Sequence, residues 1–367
     1  MKRILSMTLI MILVLSLTSC GGTTALEGKG KKIAVFYYSF EDSFLSDVRV
    51  NLNDELTSLR VDYDNYDSEN SQEKQNSQID EAIKGGANLL LVNIVSGGDK
   101  EAAEAIIKKA GNVPVVFFNR SVERMEETDS LFDQYKDVGF VGSQPGRAGY
   151  AQGELIGDYL AHNYDSLDRN HDGKISYVML KGSENSPECD YRTQYSVESA
   201  NAILKKWGRS ELEYFNPDIK EKYQVDPDNM WSEKAAREIM KNNLTRYNDN
   251  NKNMIELVIC NNDAMAVGAV SALSEVGYNK GTRARTIPVF GIDATETAQA
   301  LIREGVMAGT IRQSSKGLAE ALGAVSDGIL TGKKTAEAIS EALSLNSIFF
   351  VEKEHTNKLL MTYSAYP

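Results

Sequence analysis

From Lys32 onward the chain repeats one pattern: a short apolar run, a polar turn, then a stretch whose apolar residues recur three and four apart. The runs "KIAVFYY", "VDYDNY", "ANLLLVNIV" and "VPVVFFN" read as four strands. Between them, helical spacing covers about Asp42–Leu59, Gln72–Lys84 and Lys100–Ala110. Strands this apolar, separated by amphipathic helices, predict a parallel sheet covered on both faces. After "VGFVGS" the pattern restarts. A helix near Ala148–Ala161 leads to the strand "KISYVML", a helix over Glu188–Lys206 and a weak strand "LEYFN". A helix over Ser232–Leu244, the strand "IELVIC" and a helix over Ala264–Glu275 follow. "IPVFGID", "VMAGTI" and a helix over Gly317–Leu330 complete the series. The expected fold class is α/β, with two Rossmann-like, doubly wound parallel sheets in tandem.

In such sheets ligands bind beyond the C-terminal strand ends. Those ends carry Tyr38–Phe44, Asn93, Asn119, Gly182–Arg192, Asn261–Asp263, Asp293 and Gln313. They supply amides, carboxylates, an arginine and aromatic rings. A sugar needs this mixture: each hydroxyl both donates and accepts, so planar Asn, Asp, Gln and Arg groups bind it bidentately. The C–H face of a pyranose needs an aromatic platform, and Phe44 and Trp231 are placed to supply two. Any single Asn or Asp here could equally be a helix cap; the set together argues for a site.

The loop "DRNHDGKIS" adds a second chemistry. Asp168, Asn170 and Asp172 alternate and Gly173 follows, as in a calcium loop, but the twelfth position, where a bidentate Glu belongs, is Met179. A plain Asx-rich turn is the alternative.

Composition narrows the role. The chain has 367 residues and a formal charge of -12. That size fits two domains, and the acidic balance gives no general attraction to nucleic acid. Lys2 and Arg3 precede an apolar run from Ile4 to Leu17 and then "LTSC", the pattern of a secretory signal. The placement of Cys20 resembles the bacterial lipoprotein signal, in which this residue carries the lipid. Residues 1–19 are thus expected to be removed, and 20–31 reads as a flexible tether. No apolar stretch long enough to span a membrane follows Leu17. Cys189 and Cys260 form no disulfide framework, and Cys260 reads as core. His162, His171 and His355 are scattered and read as surface residues. There is no phosphate loop and no H-E-x-x-H. Glycosidases also set carboxylates beside a sugar, but no dedicated acid/base or nucleophile arrangement is present, so an enzyme is not expected.

"VPVVFFN", "DRNHDGKIS", "IELVICNNDAMAVGAV" and "IPVFGIDATE" together resemble the galactose/glucose-binding branch of the type I periplasmic binding proteins, over about Lys32–Tyr363. The resemblance implies two lobes joined by three crossings, near Gly142–Ser143, Ser314–Ser315 and Thr362. One lobe would take 32–142 with 314–361, the other 143–313 with 362–367. It implies that Glu256 closes the calcium loop, with Asp168, Asn170, Asp172, the Lys174 carbonyl and Ser176 as further ligands of a structural Ca2+. Ser176 stands where the family has Gln. For the sugar it implies Phe44 and Trp231 as the sandwich and Asp42 at the 4-hydroxyl. Asn119 would hold the 6-hydroxyl, and Arg192, Asn262 and Asp293 hydroxyls 2 and 3. Ser186, Glu188 and Gln313 occupy site positions where the family has His, Asp and Asn. The implied function is capture of a hexose by a monomeric lipoprotein that delivers it to the permease and ATPase subunits of an ABC importer. A sugar sensor feeding a chemoreceptor or kinase, or a binder of another monosaccharide, is the alternative. A sugar-responsive transcription regulator shares the fold, but the signal segment and the lack of an N-terminal helix-turn-helix oppose it.

Overall fold

The computed structural model describes residues 30–127, 129–184, 186–281, 285–351 and 354–367. The signal segment and Cys20 lie outside these residues. The strands are β1 (Lys32–Tyr37), β2 (Asp62–Asp67), β3 (Leu89–Val92), β4 (Val115–Asn119), β5 (Gly139–Ser143), β6 (Ser176–Lys181) and β7 (Glu213–Tyr214). They continue with β8 (Gln224–Val225), β9 (Leu257–Cys260), β10 (Val289–Asp293), β11 (Gly309–Arg312), β12 (Phe349–Val351), β13 (Lys358–Met361) and β14 (Ser364–Tyr366). The principal helices are α1 (Ser43–Ser58), α2 (Gln72–Lys84), α3 (Lys100–Ala110), α4 (Leu131–Gln134), α5 (Pro145–Leu167) and α6 (Pro187–Lys206). Then come α7 (Glu233–Leu244), α8 (Asp263–Glu275), α9 (Glu296–Arg303), α10 (Ser315–Leu330) and α11 (Thr335–Ala342).

Two sheets form. The first has the order β12-β13-β5-β4-β3-β1-β2, the second β14-β11-β10-β9-β6-β7, with β8 also pairing β6. Alternation along β1 shows why the first sheet must be covered twice. Ile33, Val35 and Tyr37 join a core with residues of α1 and α10, whereas Ala34 and Phe36 join another with residues of α2 and α3. The second sheet is buried in a core built with α5, α6, α7 and α8. Reading from the edge, each sheet runs second strand, first, third, fourth, fifth, so a switch point lies beside its first strand and ligands are expected beyond the strand ends there.

The expectation of parallel strands holds for the interior. Two edges differ: β12 runs antiparallel to β13, and β14 antiparallel to β11. These short pieces come from the C-terminal part of the chain, which returns first to one sheet and then to the other. Helix α5 runs from Pro145 to Leu167, longer than its apolar spacing suggests. Helices α9 and α11 are too short to stand out by period and are additions to the expected set.

Candidate functional site

The C-terminal ends of both sheets face one pocket of about 490 Å³ of atom-free space, mouth included. Its lining comes from both sheets' strand ends: Tyr38, Asp42, Phe44, Asn119 and Arg120 from the first, Glu188, Arg192, Trp231, Asn262, Asp293 and Gln313 from the second. Ser143 and Tyr363 complete it. Nine of the ten residues expected at the sugar site are therefore gathered there. The tenth, Ser186, is not in the lining; its hydroxyl donates to Glu188 Oε2 at 2.9 Å. Ser186 is the buried residue just ahead of α6, and with its hydroxyl spent on the Glu188 carboxylate it orients a lining residue.

Local structure explains how each side chain is held. Asp42 caps α1, accepting from Leu45 N at 2.8 Å through Oδ1, while Oδ2 accepts from the Tyr38 hydroxyl at 2.7 Å. The Arg120 guanidinium lies 3.7 Å from the Tyr38 ring centroid and donates to the Val95 carbonyl at 2.7 Å. Trp231 packs so closely over Gly182 that a Cβ there would sit 2.3 Å from Trp231 Cδ2. The Trp231 carbonyl accepts from Asn262 Nδ2 at 3.2 Å, and the next residue, Ser232, is held by the buried Asp226 carboxylate at 2.8 Å. Arg192 donates to the Asn261 carbonyl at 2.8 Å and to Gln313 Oε1 at 3.3 Å. Asn119 (φ 61), Trp231 (φ 57) and Asp293 (φ 126) all hold left-handed backbone conformations. Such angles are uncommon outside glycine and cluster at ligand sites. Asn93 and Asn261, also singled out at strand ends, are not lining residues. Asn93 joins Tyr38 N to the Phe118 carbonyl, and Asn261 accepts from Gly182 N, so both fix neighbouring strand ends.

Charge in the pocket is close to balanced. Burial pushes the Asp293 carboxyl well above its ordinary pKa, against the pull of Arg192. No lining Arg comes within ion-pair distance of a lining carboxylate among the described residues.

Contacts from one sheet's domain to the other's seal the cleft. Ser121 N donates to Glu188 Oε1 at 2.7 Å, Met125 N to the Tyr191 hydroxyl at 2.8 Å, and that hydroxyl to Glu126 Oε2 at 2.7 Å. Arg124 pairs with Asp190 at 2.9 Å, and Gln313 Nε2 donates to Asn119 Oδ1 at 2.8 Å. The beginning of α6 thus docks on residues 121–126.

Of the lining residues, Arg120, Ser143 and Tyr363 are not evident as site residues in the sequence, and Tyr38 only as part of a range. Arg120 directly follows a named strand end. Ser143 and Tyr363 sit where the chain passes between sheets, at positions the sequence marks only as crossing points.

The Asp-rich loop is a separate structure. Glu256 Oε1 accepts from Arg169 N at 2.6 Å, and Oε2 from Ser176 N at 2.8 Å and the Ser176 hydroxyl at 3.1 Å. Asp168 accepts from Asp172 N and Gly173 N, and Asp172 from Lys174 N and Asn170 Nδ2. Asp168, Asn170, Asp172, Ser176 and Glu256 are therefore joined in one hydrogen-bonded loop, and their carboxylate oxygens accept from loop donors. Among the described residues no group of three or more His, Cys, Asp or Glu side chains is arranged to hold a metal ion. The donor chemistry is that of a hard-cation site; the arrangement is that of a loop closed on itself.

Among the described residues no helix is long and apolar enough to cross a membrane. Residues 33–334 match the family described as periplasmic binding protein domain. The chain is 32% identical over 320 residues to the D-galactose/methyl-galactoside binding periplasmic protein of Haemophilus influenzae, covering 86% of this chain and 87% of that one. Its fold matches a galactofuranose binding protein with a TM-score of 0.66 at 17% identity, over 92% of this chain and 94% of that one. It also matches an ABC transporter solute binding protein from Bacillus halodurans with bound myo-inositol, TM-score 0.64 at 21% identity, over 91% and 93% of the two chains. These relatives bind ligands and are not enzymes; two sheets closing on one pocket, and a family match spanning most of the described residues, show that the chain belongs to the periplasmic binding protein family.

Proposed function

We propose that this chain is the extracytoplasmic capture subunit of an ABC importer, and that it encloses one hexose of the galactose or glucose type. The observation that carries the reading is the lining itself: Phe44 and Trp231 together with carboxyl, amide and guanidinium groups drawn from both sheets. Two arginines against three carboxyls, one of them pushed toward its neutral form, suit an uncharged polyol better than an anion or a cation. Phe44 and Trp231 would cover the ring's C–H faces. Asp42, Asn119, Glu188, Arg192, Asn262, Asp293 and Gln313 would share its hydroxyls. The 32% identical relative, whose name states galactose and methyl-galactoside binding, supports the hexose class.

Closure follows from the same residues. Direct contacts between the lobes favour the closed state by themselves, a ligand bridging both lobes adds to them, and it shifts the equilibrium by that differential affinity. The closed form is what the permease would read. Lipid on Cys20 would keep the monomer at the membrane, with firm anchoring needing more than one acyl chain. We retain calcium at the Asp168–Ser176 loop as a proposal on donor chemistry alone. Titration calorimetry with D-galactose, D-glucose, methyl galactoside, galactofuranose and myo-inositol tests the reading. A micromolar or tighter hexose is expected; no response to any of them at millimolar concentration refutes it.

A further inference from the structure

The chain passes between the two sheets three times, and each passage puts one side chain into the pocket. Ser143 ends β5, Gln313 follows β11, and Tyr363 lies between β13 and β14. Gln313 already has protein partners on both sides, Arg192 and Asn119. The other two passages differ. Ser143 is 5% exposed and Arg192 6% exposed, yet Ser143 Oγ and Arg192 Nε are buried with no protein hydrogen-bond partner. Buried polar atoms are nearly always satisfied, and an exception in a binding pocket calls for a partner. The Tyr363 ring packs against the small cluster of Ala148, Ile292 and Ile311. Its phenol shares the pocket lining with Arg192 and Ser143, both of which lower its pKa against burial, while neither Ser143 Oγ nor Arg192 Nε is satisfied in a formed bond.

We propose that a ligand hydroxyl is read at the hinge, between Ser143 Oγ and Arg192 Nε, with the Tyr363 phenol as its third neighbour. This rests on the sugar-capture reading above and adds two contact residues to it. A hydroxyl meets the chemistry because it can accept from the Arg192 Nε–H while exchanging a hydrogen bond with Ser143. A carboxylate would also satisfy Arg192, but Glu188 acts on the same guanidinium and already supplies negative charge there. Two of these three groups belong to the crossings themselves. Occupancy of the pocket is therefore felt directly by the segments that must turn when the lobes open.

The test uses Ser143→Ala and Tyr363→Phe, both of which keep the packing. D-galactose and D-glucose, and the 2-, 3-, 4- and 6-deoxy analogues of whichever binds tighter, are titrated calorimetrically against wild type and both variants. Each variant is expected to weaken the parent sugar by roughly three- to tenfold, the range of one hydrogen bond. One deoxy analogue should bind wild type more weakly and show no further loss with Ser143→Ala, since the hydroxyl that Ser143 reads is already gone. The melting points of the ligand-free variants should match wild type. Wild-type binding with unchanged affinity in both variants overturns this inference alone. So does an equal loss for the parent and every analogue, which marks a merely structural role. No binding of either hexose by wild type overturns the underlying reading, and this inference with it.

Discussion

Tyr191 offers a way to separate closure from ligand contact. It lines no part of the pocket, yet its hydroxyl accepts from Met125 N and donates to Glu126 across the cleft. Burial, then the Glu126 carboxylate, hold the phenol protonated well past neutral pH, so it is a donor under all working conditions. Tyr191→Phe removes both bonds and keeps the ring, which stays parallel to Tyr195 with centroids 5.9 Å apart. The bond from the Met125 amide is worth about 1 kcal/mol, and the one to Glu126 adds at most about the same because that carboxylate is exposed. The closed state then loses roughly 1–2 kcal/mol, a factor of about 5–30. When the open form dominates without ligand, the apparent affinity falls by the same factor, because the dissociation constant scales inversely with the closed fraction. Arg124→Ala should do less. Its pair with Asp190 is 2.9 Å long but the side chains are 41% and 33% exposed, and such pairs contribute about 1 kcal/mol or less. Calorimetry gives the affinities, and small-angle scattering gives the closed fraction with and without ligand. A Tyr191→Phe affinity within about twofold of wild type, in a protein whose ligand-free form scatters as open, would refute the latch.

Gly182→Ala should weaken hexose binding by about tenfold or more and Trp231→Ala further still, since a Cβ at 2.3 Å must push the indole out by over about 1 Å to reach ordinary contact; calorimetric affinities equal to wild type would place the platform elsewhere. Burial raises the Asp263 carboxyl to about 6, although Thr310 and Thr295 donate to it. The folded state therefore holds this proton more tightly than the unfolded chain, and the group's contribution to stability falls as pH rises from about 4 to 6; Asp263→Asn should flatten the urea midpoint against pH in that window, and an unchanged slope would count against the assignment. Glu256→Gln should lower the melting point even in chelator, because the carboxylate accepts from loop backbone amides and the Ser176 hydroxyl. Calcium should raise the wild-type melting point and leave the variant unmoved, whereas equal wild-type melting in calcium and chelator would eliminate the ion.

The strand ends are legible because their chemistry breaks a pattern. Asn119, Asp293 and Asn262 each end or follow an apolar run, where an amide or carboxylate stands out against the residues before it, and all three line the pocket. Glu188 and Gln313 are legible as site positions, but their partners are not. Glu188 spends one oxygen on Ser121 N and the other on Ser186, and Gln313 bridges Asn119 and Arg192. These contacts either join residues 67 to 194 positions apart or are set by a turn, and no local period encodes them. Ser143 and Tyr363 escape for the opposite reason: a serine ending an apolar run and a tyrosine near the chain's end carry no pattern at all. In the Asp-rich loop, spacing draws attention to Asp168, Asn170 and Asp172, but the backbone amides that donate to Asp168 and to the distant Glu256 carry no signal in the sequence.

Orientation of the aromatic platform is the least accessible feature, and the backbone explains why. A left-handed conformation is tolerable for Asn119, whose short amide side chain favours it, but Trp231 at φ 57 is a bulky residue in a region that costs on the order of 1–3 kcal/mol. It persists because its surroundings over-determine it. Asn262 holds its carbonyl, Asp226 holds Ser232 beside it, and Gly182 leaves the space in which the indole can lie flat against the strand end. Asp226 and Gly182 look ordinary in their own stretches of sequence, an Asp before a Pro and a Gly after a Lys, and Asn262, though legible as a site residue, gives no sign that it holds the Trp231 carbonyl. The aromatic face presented to the cleft is thus a property of three residues acting on one strained residue, and relaxing any one of them should cost affinity before it costs the fold.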